Sequence, residues 1–564
     1  MKDELEVLDV EDPPEELTLI EGLTYKGFPV VNTPSSKGKE KLVVLGSGWG
    51  AVALLKTLDG DAYDVTVVSP NNYFIFTPLL PSVTVGTVEF RSVLEPIRRI
   101  IKRIRGSYLE ASAVDVDFDR KYVLIEKEGE SRAWVPYDRL VVGVGAQSIT
   151  HGVTGLEHCH KLKTITDARS IRQHIMSNFE KAVLPTTPLE EKRRLLTFVV
   201  CGGGPTGCEF AAELYDFLAE DLVHYFPETV QSMVNVIIIQ SRDHILNMMD
   251  SVISEFAENT FSRRHINVIT NARVAGITEN VLTYTSKGPD GSTVEHKIPQ
   301  GFVLWSTGLS LTPFTRLICE ELPEHQKNRH AITVDDRLRI KGVPDGSVYA
   351  LGDCATVEFP HLLAHLAELF DSAKHASSNE ITRDEFSVFV KETANKYPMA
   401  AGHLRSLEWN FDQFDTDGNG RICLSELQHM LEYVDSKLTA LPALAQVANQ
   451  EGVYLGHALS SLAEHYARQG IQPETAAGSA DSRRALETGA VGPFTYHHRG
   501  TLAYLGRAAA ADFGDGQTYK GSNLAAKYLW RSVYWSQQVS LRTRLFLMMD
   551  WFKELLFGRD ISKF

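Results

Sequence analysis

Twelve residues, Asp415-Thr416-Asp417-Gly418-Asn419-Gly420-Arg421-Ile422-Cys423-Leu424-Ser425-Glu426, carry oxygen donors at the spacing a calcium ion takes. Asp415, Asp417 and Asn419 offer side-chain oxygens, Arg421 a backbone carbonyl and Glu426 a bidentate carboxylate, while Gly420 makes the sharp turn. Cys423 at the ninth position leaves that ligand to water. Two other stretches put their chemistry on the backbone. Gly46-Ser47-Gly48-Trp49-Gly50-Ala51 and Gly202-Gly203-Gly204-Pro205-Thr206-Gly207 each follow an apolar run and open a helical pattern. The first glycine permits the turn, Gly48 and Gly204 let backbone approach a pyrophosphate, and the small Ala51 and Gly207 let helix pack on strand. The free N–H groups at the helix start then face the anion. One copy is a weak signal; two, each with its strand and helix, imply two dinucleotides.

The elements that position these turns read as alternating strands and helices. Residues 42–45 and 63–68 are strands of the first unit. The second of them ends in Ser69, where many dinucleotide folds carry an acid for the adenosine ribose, so that rule is broken. Residues 71–90 are apolar and punctuated by proline, either a loop along a cofactor or a buried loop of the core. Residues 138–146 end in small residues, including Gly145, as a strand does when its backbone lies against a ligand. In the second unit, residues 234–239 lead into Gln240, Ser241 and Arg242. A carboxylate at that end would bond a ribose 2′-OH and repel a 2′-phosphate; Gln240 lacks the repulsion. Arg242 either pairs with the phosphate or is a solvated turn residue, and NADPH becomes acceptable. The last strand of this unit ends at Gly308. Residues 347–355 then form a strand ending in Gly352-Asp353, and in two-dinucleotide flavoproteins that aspartate bonds the ribityl chain of FAD. This places FAD in the outer unit and a pyridine nucleotide in the inserted one.

Composition sets the bounds. A chain of 564 residues, 43% apolar and 23% charged, should hold two to four globular domains. A net charge of -15 argues against nucleic acid as a partner. Six cysteines are scattered with no CxxC, so no structural disulfide is expected. No apolar run approaches the ~20 residues of a spanning helix. The opening MKDELEVLDVEDPPEEL is acidic and lacks a hydrophobic centre, so a targeting segment is expected to be absent or removed.

EF-hands usually pair, and aligning Ile381 with Ile422 puts Lys374, Ala376 and Ser378 where ligands belong, with only Glu385 in place. The first hand therefore reads as degenerate and the second as the single calcium site. Gln446 and Gln450, four apart, share a helix face. Between residues 523 and 557, Tyr528, Trp530, Tyr534, Trp535, Phe546, Trp551 and Phe552 interleave with Lys527, Arg531, Arg542, Arg544 and Lys553. That pattern suits amphipathic helices lying on an anionic membrane surface, or an oligomer interface.

The stretches VVLGSGWGA, FTPLLPS, GGGPTGCEFAAEL, LGDCA and AQVANQEG, with an EF-hand between the last two, resemble the type II (alternative) NAD(P)H:quinone dehydrogenases, most closely the calcium-regulated external enzymes of fungal and plant mitochondria. The resemblance runs from about residue 40 to the C-terminus. It implies an α/β fold of two Rossmann-type dinucleotide-binding domains, with an inserted α-helical EF-hand pair and a C-terminal amphipathic helical membrane anchor. It implies a homodimeric, peripheral enzyme of the mitochondrial inner membrane facing the intermembrane space. Two electrons would pass from NADPH, or NADH, through FAD to ubiquinone without proton pumping, under Ca2+ control. Gly46, Gly48 and Asp353 would hold FAD; Gly202, Gly204 and Gly207 the nicotinamide cofactor. Gln446 and Gln450 would border the quinone headgroup. Glu209 would lie near flavin and nicotinamide, as a proton-handling group or a structural carboxylate. Gln240 stands where users of NADH commonly carry an acid, which favours NADPH.

The expected organisation is an acidic extended lead-in (1–38), an FAD unit in three pieces (39–155, 308–358 and 440–470), an NAD(P)H unit (156–307), the EF-hand insertion (359–439) and the C-terminal region (490–564). Two rivals share parts of this pattern. A sulfide:quinone oxidoreductase would need Cys159 and Cys354 at the flavin, and a calcium-sensing scaffold would carry no flavin.

Overall fold

Unbroken runs of β-branched residues call for strands buried on both faces. In the computed structural model such runs build two separate parallel sheets. The structure describes residues 17–34, 36, 39–127, 129, 131–288, 290–358, 362–373, 380–396, 411–437, 441–469, 487–506, 508–513, 518–521 and 524–562. The first sheet runs Val348–Ala350, Arg139–Val142, Glu40–Leu45, Tyr63–Ser69, Ser107–Glu110, all parallel. The second runs Ile266–Ile269, Asn235–Ile239, Thr197–Cys201, Phe302–Trp305, also parallel. Their central residues, Leu42, Val44 and Leu140 in one and Phe198, Val199 and Val200 in the other, are inaccessible to solvent. The chain crosses between the sheets twice, and the crossings pair as Gln147–Ser148 antiparallel to Leu309–Ser310.

Residues read from sequence as an extended lead-in are instead a hairpin, Thr18–Tyr25 with Phe28–Asn32, at the edge of a mixed sheet that it joins by a parallel pairing of Val30 with Trp134. Its turn, Lys26-Gly27, has positive φ at both residues (43° and 84°), the backbone a two-residue hairpin needs. Trp134 Nε1 donates to the Tyr25 carbonyl (2.8 Å) and ties the hairpin down.

The helix Ala445–Gln469 lies against the helix Trp49–Thr57 at backbone contact. A Cβ on Gly452 would stand 2.1 Å from the Gly50 carbonyl oxygen, and one on Gly456 2.1 Å from Thr57 Oγ1. Any larger residue at either position would drive the helices apart.

In the insertion, Glu380–Thr382 pairs antiparallel with Arg421–Cys423, with Ile381 opposite Ile422. The two hands share a core of their own, including Phe386, Phe389, Phe411, Leu427 and Met430. Lys374, Ala376 and Ser378 lie outside the described residues; the loop 415–426 is preceded by the helical turn Phe411–Phe414.

The C-terminal region is a three-stranded sheet, Thr501–Tyr504, Ala509–Asp512 and Thr518–Gly521, followed by the helices Leu524–Ser536 and Leu541–Phe557. Among the described residues no helix is long and apolar enough to cross a membrane.

Candidate functional site

The two glycine turns have the same construction. Gly46 (φ 106°) and Gly202 (φ 110°) take a backbone that L side chains avoid. A Cβ at Gly46 would lie 2.2 Å from the Gly143 carbonyl oxygen, and one at Gly202 2.5 Å from that of Ser306. Gly48 and Gly204 are the N-caps of the helices Trp49–Thr57 and Pro205–Asp216. Neither helix has a side-chain cap or an acid in its first turn, and the space around both glycines is open. The unpaired N–H groups and positive helix ends are therefore free for an anion. Beside the second turn, Thr307 Oγ1 is buried without a hydrogen-bond partner, as a group aimed at a ligand would be. The residues present fit a dinucleotide at both places.

Around the first turn, Ser69 Oγ donates to Ser47 Oγ (2.9 Å), so this buried serine braces the turn from within. Asp353, half-buried behind Gly352, is pushed up by burial and held back by Lys163. Lys163 Nζ also donates to the carbonyl of Ala146 (2.8 Å), next to Gly145. Glu451 Oε2 accepts the Gly352 N–H (2.6 Å), and burial pushes its carboxyl up to about 8. Sequence reasoning passed over Lys163 and Glu451, although Glu451 lies inside AQVANQEG.

At the second turn, Gln240 is folded inward. Its Oε1 accepts from Gly203 N (3.4 Å) and Ser241 N (3.1 Å), and its Nε2 donates to the His244 carbonyl (3.1 Å). Arg242 is exposed at the strand end. Gly308, also at positive φ (54°), sits against Ile149 and His151 of the other crossing.

One stretch of backbone connects the remaining candidates. Gln450 exchanges two bonds with His497, Nε2 to O (2.8 Å) and N to Oε1 (2.9 Å). Gln446 does the same with Gly500 O (3.0 Å) and Arg499 N (3.1 Å). The chain continues as Thr501–Tyr504, and the Tyr504 N–H donates to Glu209 Oε1 (3.1 Å). The two amides, which do share a face, thus anchor a segment whose other end holds Glu209. Burial pushes the Glu209 carboxyl up to about 8, against the pull of that N–H. An aromatic series lines the same region: Trp49, Phe76, Tyr534, Trp530 and Tyr504, with successive ring centroids 4.8 to 5.9 Å apart.

The structure corrects part of the amphipathic reading. Trp530 and Tyr534 are buried, and Arg531 and Lys527 pair with Glu554 (2.6 and 3.3 Å). Arg542 donates to the Leu94 carbonyl (2.9 Å) and Arg544 to that of Ser536 (3.2 Å). Lys527, Arg531 and Arg544 thus tie the two helices to each other and Arg542 ties them to the body, while the helix Leu524–Ser536 has a neighbour on its aromatic side. The open face is on the last helix: Leu545, Met548, Met549, Phe552, Leu555 and Leu556 are exposed at helical spacing.

In the calcium loop, Asp415, Asp417 and Glu426 bring oxygens within 4.8 Å of one another. The Asp415 carboxylate accepts from the N–H of Asn419 (3.1 Å) and Gly420 (2.8 Å), which folds the loop, and Asn419 Oδ1 accepts from Arg421 N (2.7 Å). This all-oxygen set fits a hard divalent cation. Asp435 on the exiting helix, Leu424–Lys437, accepts from the N–H of Leu362 (2.9 Å) and Leu363 (3.0 Å), a few residues beyond Asp353.

The cysteines do not assemble. All six are free. Cys159 packs beneath the second sheet and Cys354 in the core of the first; burial pushes both thiols up to about 12, away from reactive thiolates.

Residues 40–379 match the pyridine nucleotide-disulphide oxidoreductase family, residues 410–437 the EF-hand domain and residues 498–560 the NDH2 C-terminal domain. The chain is 40% identical over 549 residues to the mitochondrial external alternative NAD(P)H-ubiquinone oxidoreductase B1 of Solanum tuberosum, covering 94% of this chain and 92% of that protein. It is 32% identical to the mitochondrial external alternative NADH-ubiquinone oxidoreductase of Yarrowia lipolytica, covering 97% and 86%. Among solved structures, NDH2 from Plasmodium falciparum in complex with NADH superposes with a TM-score of 0.78 at 27% identity, over 93% of this chain and all of that one. The sulfide:quinone oxidoreductase of Aquifex aeolicus shares the fold, with a TM-score of 0.57 at 14% identity over 92% of this chain and 96% of that one.

Proposed function

From the premise that the chain belongs to the external alternative NAD(P)H-ubiquinone oxidoreductases, we propose that it passes two electrons from NADPH, and also from NADH, to ubiquinone through FAD, under the control of Ca2+. The observation that supports this reading is the segment 497–504, whose backbone bonds Gln450 and Gln446 at one end and Glu209 at the other.

FAD, when bound, supplies a two-electron relay between nucleotide and quinone. The turn Gly46, Gly48 and Ala51 would hold its pyrophosphate, and Gly145 and Asp353 would hold the rest of the cofactor beside it. The turn Gly202, Gly204 and Gly207 holds the nucleotide, with Gly308 at the crossing. Gln240 leaves no carboxylate against a 2′-phosphate, and Arg242 is free to approach one. The positive N-terminal end of the helix starting at Ala445 would favour negative charge on the reduced flavin. Gln446 and Gln450 position the wall on which the quinone headgroup rests. Glu209, protonated near neutral pH, holds a proton for the quinone oxygen.

Asp415, Asp417, Asn419, Arg421 and Glu426 bind the calcium. The insertion lies between Asp353 and Gln446, so ordering the hand adjusts both sides of the flavin site. The apolar face of Leu541–Phe557 supports a monotopic seat on the mitochondrial inner membrane, towards the intermembrane space, or contact within a homodimer.

The test is quinone reduction by the purified flavoprotein with NADPH and with NADH, each in calcium and in EGTA. Rapid NADPH oxidation that requires calcium is expected. Equal rates in EGTA would remove the switch, and a preference for NADH would remove the argument from Gln240.

A further inference from the structure

The proposed reaction takes one proton from water per turnover: NAD(P)H + H+ + quinone gives NAD(P)+ + quinol. Glu209, the proton-holding group of that reading, is sealed, only 6% exposed. A proton must therefore reach it through the protein.

The helix Pro205–Asp216 places Glu213 one turn further along the same face. Glu213 is 2% exposed, and both of its carboxylate oxygens have partners. Oε1 accepts from Ser82 Oγ (2.7 Å), Oε2 from Thr87 Oγ1 (3.0 Å), and Arg559 Nη2 stands 3.7 Å from Oε2. Thr87 and Arg559 also line a cavity of about 310 Å3, together with Glu89, Asp550, Lys553, Glu554 and Asp560. Such a cavity is polar and roomy enough for water. The Thr87 hydroxyl accepts from Arg559 Nε (2.8 Å) and donates to Glu213, so it stands between cavity and carboxylate.

We infer that Glu213 relays protons from this cavity to Glu209, with the Thr87 hydroxyl as the link between cavity water and the buried carboxylate. The inference rests on the quinone-reductase reading above. Glu213 touches no substrate; it is a positioning residue for the proton and acts through Glu209. As Glu209 gives its proton to the quinone oxygen, Glu213 passes its own to Glu209 and takes another from the cavity. Each carboxyl ends as it began, and the net change is one proton lost from water and one gained by the quinone. The charged groups facing Glu213 are Glu209, Asp216 and Arg559. Asp216 is held by Arg264 (2.6 Å) and the Tyr504 hydroxyl (2.9 Å), and Arg559 by Asp221 (2.7 Å) and Glu220 (3.2 Å). Burial raises the Glu213 carboxyl, and Arg559 opposes it.

The rival account is a structural knot tying the chain end to this helix. The experiment compares wild type, Glu213→Gln, Glu213→Asp and Thr87→Val as full-length flavoproteins in calcium, with a quinone and with ferricyanide, which takes electrons without protons. In Glu213→Gln, quinone kcat should fall on the order of tenfold or more, with KM and ferricyanide reduction kept and the solvent isotope effect on quinone reduction enlarged. Glu213→Asp should recover most of the rate, and Thr87→Val should lose a smaller part of it. The infrared carbonyl band of a protonated buried carboxyl that shifts on quinone turnover should be missing from Glu213→Gln. Wild-type quinone kcat in Glu213→Gln, or equal losses with both acceptors, would overturn the relay alone. A wild type that reduces ferricyanide and no quinone would overturn the quinone-reductase reading and the relay with it.

Discussion

The two glycine turns share backbone geometry and differ in what closes them. The second is closed by its own unit: Gly203 packs on Ile245 and Gln240, and Gly202 on Ser306. The first is closed from far along the chain, by Leu351 and the Ala448 carbonyl against Gly50, and by Gly452 against the Gly50 carbonyl. Opening the first requires separating segments 300 to 400 residues apart in sequence, whereas the second stands on one sheet. A prosthetic group suits the first and an exchanging substrate the second, the division of labour that the proposed electron path needs.

The sharpest break of this comparison comes from the turns themselves. Gly46→Val forces a side chain onto the Gly143 carbonyl at positive φ, and should yield protein without FAD and without activity. Gly202→Val should keep the yellow colour but resist bleaching by NADPH; absorbance spectra before and after nucleotide read both outcomes. If Gly202→Val also emerges colourless, the turns are not independent.

A smaller effect sharpens the second site. Gln240→Glu puts a carboxylate beside any 2′-phosphate and should move the NADPH to NADH ratio of kcat/KM towards NADH on the order of tenfold, about 1.4 kcal/mol. An unchanged ratio would show that the inward fold of this side chain keeps it from the ribose.

The smallest effect compares the two buried carboxyls, Glu451 at the first turn and Glu209 at the second, both raised from the ordinary 4.5 to about 8. A carboxyl raised on folding binds its proton more tightly in the folded state. Its contribution to stability is complete below the ordinary range and is lost as pH climbs from about 4.5 to about 8. Melting temperature should fall over that window by a few degrees, and Glu209→Gln or Glu451→Gln should each flatten the fall. A profile that either variant leaves unchanged would mean that its carboxyl is ionised in the folded protein.

What could be read from the sequence was what is contiguous in it. The glycine turns and the loop 415–426 hold their determinants within a dozen residues, and the pairing of Ile381 with Ile422 follows from one repeat. Lys163, Glu451, Tyr504 and Arg559 acquire their roles from partners brought together only by the fold. Ser69 and Gln240 were read by residue type at a strand end, but type does not say that both turn inward to brace their loops. Trp530 and Tyr534 have the pattern of a lipid-facing helix; only the neighbouring strand Thr501–Tyr504 and Phe76 explain their burial. Periodicity identifies an apolar face but not its occupant.

The contact of Gly452 with the Gly50 carbonyl also sets an order of events on the ribosome. At roughly 5–20 residues per second, some 400 residues of synthesis separate the two glycines, about 20–80 s. The strand, turn and helix at residues 40–57 must wait that long, half made, for the helix that completes them. The calcium-binding hand is synthesised within the interval, so the nascent chain meets cellular calcium before its first cofactor pocket can close.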